Sequence, residues 1–190
     1  MSEGLSAFVF MALCRPATVG AILPSSARLA EAMSRAARGC SALIELGAGT
    51  GAITAALCRQ HPGVPLRVVE LQAPLAQHLR QRFPDAEVLQ APAHRVLAEA
   101  HDGPPGLVLV SSLPFRSLPP RLRLRSSLAI ERLLLDRPGS RLVQYSYLPR
   151  EPFALRRPAQ LRWRRLGAVW SNTPPAWVWE LKSAAAPASA

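Results

Sequence analysis

Ala42-Leu43-Ile44-Glu45-Leu46-Gly47-Ala48-Gly49-Thr50-Gly51-Ala52-Ile53-Thr54 decides how this 190-residue chain folds. The first five residues form an apolar run that reads as a buried strand. Three glycines follow at alternate positions, and residues 52–59 form helix. Glycine permits a tight turn and lets a ligand approach the backbone with no Cβ in the way. A helix that starts directly after such a turn aims its unpaired N–H groups at whatever sits on the loop. The strand–loop–helix order therefore predicts a nucleotide-type cofactor site.

The spacing is G-x-G-x-G, not the G-x-G-x-x-G of dinucleotide binders. Residues 66–71, Leu-Arg-Val-Val-Glu-Leu, give a second short strand. Its acid, Glu70, stands about 20 residues past the last glycine, where it can accept hydrogen bonds from both ribose hydroxyls. With Glu45 two residues ahead of Gly47, the pattern resembles motif I of class I S-adenosylmethionine-dependent methyltransferases. That resemblance implies S-adenosyl-L-methionine as the cofactor.

The length suits one domain, and 49% hydrophobic residues suffice for a core. The net charge is +11, and Lys182 is the only lysine. Residues 1–95 carry 9 basic and 6 acidic side chains, and residues 96–190 carry 14 and 6. A basic second half suits an anionic partner, a nucleic acid or an acidic membrane surface. Arg121, Arg123 and Arg125 form one cluster; Arg156, Arg157, Arg162, Arg164 and Arg165 form another. Solvated arginines that keep the chain soluble are the plainer reading of either. Cys14, Cys40 and Cys58 show no metal-ligand spacing and read as reduced packing residues. The four histidines form no metal cluster. No signal peptide and no membrane-spanning run is apparent, so the expectation is a cytoplasmic protein whose contact with the inner membrane is peripheral.

Along the chain, residues 1–16 contain an apolar helix candidate at 5–14, too short to span a bilayer. It either packs on the core as a lid or dips Phe8, Phe10 and Met11 into a membrane interface. Residues 17–182 form the main domain. A loop at 19–26 leads into a helix with Ser25 or Ser26 as N-cap, ending near Gly39. Helices are expected at 74–83, 92–100 and 120–135, and strands at 86–90, 106–111 and 141–147. A closing antiparallel pair is expected at 161–170 and 177–181, and a disordered tail at 183–190. The fold class is α/β: a Rossmann-like methyltransferase fold, about seven mostly parallel strands with helices on both faces. In such open sheets ligands sit at the carboxyl ends of the strands, which puts the loop Ser111-Ser112-Leu113-Pro114-Phe115 beside the cofactor.

Five segments together resemble the soluble, Rhodobacter-type bacterial phospholipid N-methyltransferases. They are residues 16–30, with Gly20-Ala21-Ile22-Leu23-Pro24-Ser25-Ser26; residues 45–54; Val69-Glu70; Ser111-Ser112-Leu113-Pro114; and Gln144-Tyr145-Ser146-Tyr147 with residues 169–176, Val-Trp-Ser-Asn-Thr-Pro-Pro-Ala. The resemblance spans nearly the whole chain. It implies transfer of methyl groups to the amine of phosphatidylethanolamine, toward phosphatidylcholine. Gly47, Gly49 and Gly51 would line the methionine and ribose, with Glu45 beneath the loop. Glu70 and Leu71 would hold the ribose side, Ala91 would lie in the cofactor site, and Ser25 and Ser26 would close over it. Ser111, Leu113 and Pro114 would flank the acceptor nitrogen, and Tyr147 would face it. Tyr147, Trp170 and Phe115 are candidates for aromatic faces toward a nitrogen that becomes a quaternary cation. No metal is implied. The partners implied are a phospholipid substrate and an anionic membrane surface, with nucleic acid disfavoured and a monomer favoured.

The chain departs from the pattern in places. Class I enzymes generally carry Gly-Asp after the third strand, the acid meeting the adenine amino group; here Gln90-Ala91-Pro92-Ala93 stands there. Ser-Ser-Leu-Pro replaces Ser-Gly-Leu-Pro, and Thr173 stands where leucine is commoner. One rival reading is a ribosomal RNA adenine N6-dimethyltransferase. Those enzymes carry Asn-Leu-Pro-Tyr or similar, for which Ser112 is a poor substitute, and 6% aromatic residues give few base-stacking platforms. Another lipid amine, such as an ornithine lipid, is a nearer alternative. A degenerate methyltransferase fold serving as a binding module is the non-enzyme reading.

Overall fold

The computed structural model describes residues 24–100, 102–103 and 105–184. The helix candidate at 5–14, the loop at 19–23, Cys14, His101 and most of the C-terminal tail lie outside them.

The chain runs α1 (Pro24–Ala36), β1 (Ala42–Leu46), α2 (Ala52–Gln60), β2 (Leu66–Val69), α3 (Ala73–Arg82), β3 (Glu87–Leu89), α4 (Ala93–Glu99), β4 (Leu107–Ser111), α5 (Pro120–Asp136), β5 (Arg141–Ser146), β6 (Leu161–Val169) and β7 (Ala176–Ser183). The seven strands form one sheet in the order β3-β2-β1-β4-β5-β7-β6. Pairings from β3 through β5 are parallel, while β7 runs antiparallel between β5 and β6. Sequence and structure agree on the seven strands, the helical layers and the closing pair.

The order reverses at β1. The first crossovers go out to β2 and β3, and the later ones return to the other side through β4. Such a switch point opens a crevice at the carboxyl ends of the strands. The switch strands β1 and β4 are buried on both faces, as their unbroken apolar runs require. On one face Leu29, Met33, Leu43, Ile53, Leu57, Val68 and Leu79 join α1, α2 and α3 to the sheet. On the other, Ile44, Leu46, Val96, Leu97, Leu109, Ile130, Leu133 and Leu134 pack α4 and α5.

Some expectations shift. Pro24 already stands in α1, so Ser25 and Ser26 lie inside the helix, not at its cap. Arg141 donates to the carbonyls of Ala36 and Arg38, which fixes the C-terminal end of α1 at the amino ends of the strands. The two serines therefore lie toward the opposite edge, where the glycine loop is. Ser183 ends β7 and Ala184 N donates to Gln160 O, so neither belongs to the disordered tail expected from Ser183 onward. Cys58 is exposed, so it is not a packing residue. The edge strand β6 carries Arg162, Arg164 and Arg165 outward, charges that discourage edge-to-edge pairing. Arg164 also pairs with the buried Glu180 at 2.9 Å, so part of the second basic cluster is structural. No described helix is long and apolar enough to cross a membrane.

Candidate active site

The three glycines share a left-handed backbone, with φ of +74°, +57° and +82°, but their surroundings differ. A Cβ at Gly47 would lie 2.9 Å from Leu113 Cδ2. One at Gly51 would lie 2.6 Å from Phe83 Cε2 and 2.8 Å from Leu79 Cδ2. Gly47 thus lets the loop after β4 close on the loop after β1, and Gly51 lets α2 seat against α3. A Cβ at Gly49 would meet nothing within 4 Å among the described residues. Of the three, Gly49 alone meets no described atom.

Glu70, directly after β2, is buried and ties this loop to its own strand end. Its Oε2 accepts from Gly49 N at 2.9 Å and its Oε1 from Gln72 N at 2.9 Å. A carboxylate offers about four acceptor positions, so each oxygen keeps acceptor capacity beyond these two bonds among the described residues. Arg82 donates to Thr50 O at 3.0 Å and fastens the outer side of the loop to α3.

Glu45 lies under the loop, fully buried, and accepts from Thr54 Oγ1 at 2.7 Å. Its Oε1 has no partner among the described residues. Burial pushes its carboxyl up to about 7, the neighbouring Glu70 adding to the shift and the Thr54 hydrogen bond opposing it. Glu45 fixes the start of α2 through Thr54 and offers no charge to a ligand at lower pH.

The opposite wall is the loop after β4. Ser111 is buried, and its Oγ accepts from Leu113 N at 3.2 Å. Ser112 N donates to Leu46 O at 2.9 Å, which ties the loop to β1. Ser112, Leu113 and Pro114 are half-buried. Phe115 is not an exposed aromatic face. It lies in the core, 2% exposed, its ring tilted 42° to that of Phe153 at 4.5 Å, and Phe153 in turn meets Trp163 at 5.1 Å. At the end of β5, Tyr147 meets Tyr145 edge-on at 5.4 Å. Burial raises the Tyr147 phenol, against hydrogen bonds from Tyr145 and Asn172 that act the other way. Tyr147 is therefore a neutral phenol near pH 7. Trp170 is 72% exposed and packs edge-on against Trp177 at 5.9 Å. It lines a groove of about 630 Å³ between α1 and β6, together with Arg28, Arg35, Leu166 and Val169.

No protein-family model matches the sequence, and no characterised protein matches it significantly. Solved structures do match in shape. The 1,6-didemethyltoxoflavin-N1-methyltransferase of Burkholderia thailandensis superposes with a TM-score of 0.61 at 18% identity, covering 94% of this chain and 87% of that one. A TehB-like S-adenosylmethionine-dependent methyltransferase from Corynebacterium glutamicum gives 0.58 at 18% identity, over 96% and 100%. The 23S rRNA methyltransferase ErmE gives 0.56 at 18% identity, over 84% and 69%. The fold is that of the class I S-adenosylmethionine-dependent methyltransferases.

Within that fold, Glu45, Gly47, Gly49, Gly51 and Glu70 gather around one loop. Leu113 packs against Gly47, with Ser111 and Pro114 on either side of it in the same loop. Tyr147 stands at the end of the strand beside that loop. Leu71, 54% exposed, follows Glu70 outward. Ala91 is half-buried against the α4 side of the core, and Pro92 caps α4. The side chains of Ser25 and Ser26 lie outside the description. Sequence reasoning gave no role to Thr54, Arg82, Gln144 or Asn172. Thr54 had a usable signal, a hydroxyl at the first turn of the helix that follows the buried acid. The others act across long sequence separations that no local pattern encodes.

Proposed function

We propose that this protein is an S-adenosylmethionine-dependent N-methyltransferase that acts on a phospholipid amine, phosphatidylethanolamine in the first instance. The observation that carries the cofactor reading is the open face of Gly49 beside a buried Glu70 whose carboxylate keeps acceptor capacity. Glu70 would hold the ribose and Gly47 and Gly49 would line the methionine side. Leu71 and Ala91 offer apolar surface for the adenine in place of the missing acid at Pro92. S-adenosylmethionine, when bound, supplies a methyl group already activated on a sulfonium sulfur.

The protein's own task is to hold the acceptor nitrogen in line, a positioning effect. The loop at 111–115 and Tyr147 bound that space with a neutral phenol and half-buried apolar surface, which suit a nitrogen gaining methyl groups. Neither segment, nor residues 170–176, contains a carboxylate, imidazole or lysine. With no such base in these segments, this reading has the amine arrive neutral, having lost its proton to water. The lipid acceptor is supported by the sequence resemblance across five segments, and an anionic membrane partner by the net charge and by Arg121, Arg123 and Arg125, all exposed along α5.

Incubation with labelled S-adenosylmethionine and liposomes of defined head group tests this, with an RNA control. Label is expected in mono-, di- or trimethylated phosphatidylethanolamine, at a rate rising with pH toward the amine's own pKa. Label in RNA and not in lipid would transfer the assignment to an RNA adenine. Label in an ornithine lipid alone would change the head group.

A further inference from the structure

Gln144 is 2% exposed at the centre of β5, opposite Ser111 of β4. Its Nε2 donates to Leu113 O at 3.2 Å and to Tyr145 O at 2.9 Å. Both partners are carbonyls, so the amide's orientation is settled: the flipped form would set oxygen against oxygen. Its Oε1 is then left buried with no partner among the described residues. A buried acceptor without a partner is costly, and a leucine or methionine would fill the same volume without that penalty. Packing alone therefore does not account for an amide here.

The two carbonyls belong to different parts of the acceptor wall. Leu113 lies in the loop after β4, with its side chain against Gly47. Tyr145 lies two residues before Tyr147 and contacts its ring. Leu113 O also accepts from Phe115 N at 2.9 Å, so both of its lone pairs are engaged and it is held turned toward the sheet. We propose that Gln144 is a positioning residue for methyl transfer: its amide clamps the loop at 111–115 to the end of β5 and fixes the acceptor wall against the glycine loop. This rests on the reading of that wall as the acceptor side.

The test uses the full chain with Gln144→Leu, Gln144→Met and Gln144→Glu, and reads three things. Amide hydrogen exchange over residues 112–118 is expected to quicken by about tenfold in the Leu and Met variants, as loss of one hydrogen bond implies, with α2 unchanged. S-adenosylhomocysteine binding is expected to stay within about twofold, while kcat falls at least about tenfold. In Gln144→Glu the buried carboxyl donates only when protonated, so its rate relative to wild type is expected to recover as pH falls. Unchanged loop exchange in a folded variant would overturn the proposal, as would an exchange increase with unchanged kcat. Should Gln144→Leu fail to fold, the Met and Glu variants decide by the same readouts. Failure of wild type to methylate lipid would defeat the lipid assignment instead, and loop exchange would still judge the clamp.

Discussion

The two walls of the crevice are built differently. The glycine-loop wall is made of backbone: Gly49 N and Gln72 N on Glu70, and Thr50 O on Arg82. Its carboxylates come from residues directly on or after β1 and β2. The wall we propose to face the acceptor, formed by the loop after β4 and the end of β5, is made of side chains that reach across the chain: Gln144 to Leu113, Asn172 to Tyr147, and Phe115 buried against Phe153. A loop shaped by left-handed glycines and anchored by one carboxylate suits a ligand that stays constant, because few side chains there can vary. A wall of side chains can be re-cut for a new acceptor while the fold stands.

The contrast breaks most sharply at the glycines. Gly51→Ala is expected to destabilise by about 3 kcal/mol, from left-handed strain plus the collision with Phe83 and Leu79. Gly49→Ala is expected to cost about 1–2 kcal/mol of strain, yet to lose cofactor affinity, because its Cβ enters the open space. Chemical denaturation paired with S-adenosylhomocysteine titration separates them. If both variants lost only stability, Gly49 would not face the cofactor.

Glu45 gives a pH test of the same wall. Its folded carboxyl sits near 7 against an ordinary 4.5, so the folded state holds the proton more tightly. That contribution is fully present below pH 4.5 and is lost as pH rises through 7, by roughly 3 kcal/mol in all. Glu45→Gln is expected to remove this fall. Denaturant unfolding across pH 4.5 to 8 reads it, and parallel curves for the two proteins would contradict the burial argument.

On the acceptor wall the effect is smaller. Tyr147→Phe removes an acceptor for Tyr145 and Asn172 and is expected to cost about 1 kcal/mol of stability. Turnover is expected to fall without altered cofactor binding. A variant with unchanged kcat would remove Tyr147 from the acceptor wall.

The first wall was legible in the sequence because its signals are local. An apolar run, three glycines, a following helix and an acid at the next strand end lie within 30 residues of one another. Even there, the sequence did not separate the glycines, since Gly51 is set by Phe83 and Gly47 by Leu113, both distant in the chain. The second wall was only half legible. Ser111 to Pro114 follow from their place after a buried strand, but Phe115 turned inward because Phe153 and Trp163, about 40 to 50 residues on, complete an aromatic cluster. Gln144 read as one more strand residue because its two carbonyl partners show only in the fold.

The most direct measurement is thermal unfolding with and without saturating S-adenosylhomocysteine, for wild type and Glu70→Ala. Binding only the folded state raises Tm by several degrees for a chain of this size at saturation. Wild type is expected to show that rise and Glu70→Ala to lose it. No rise in wild type, or an equal rise in both, would contradict a methyl-donor site at this loop.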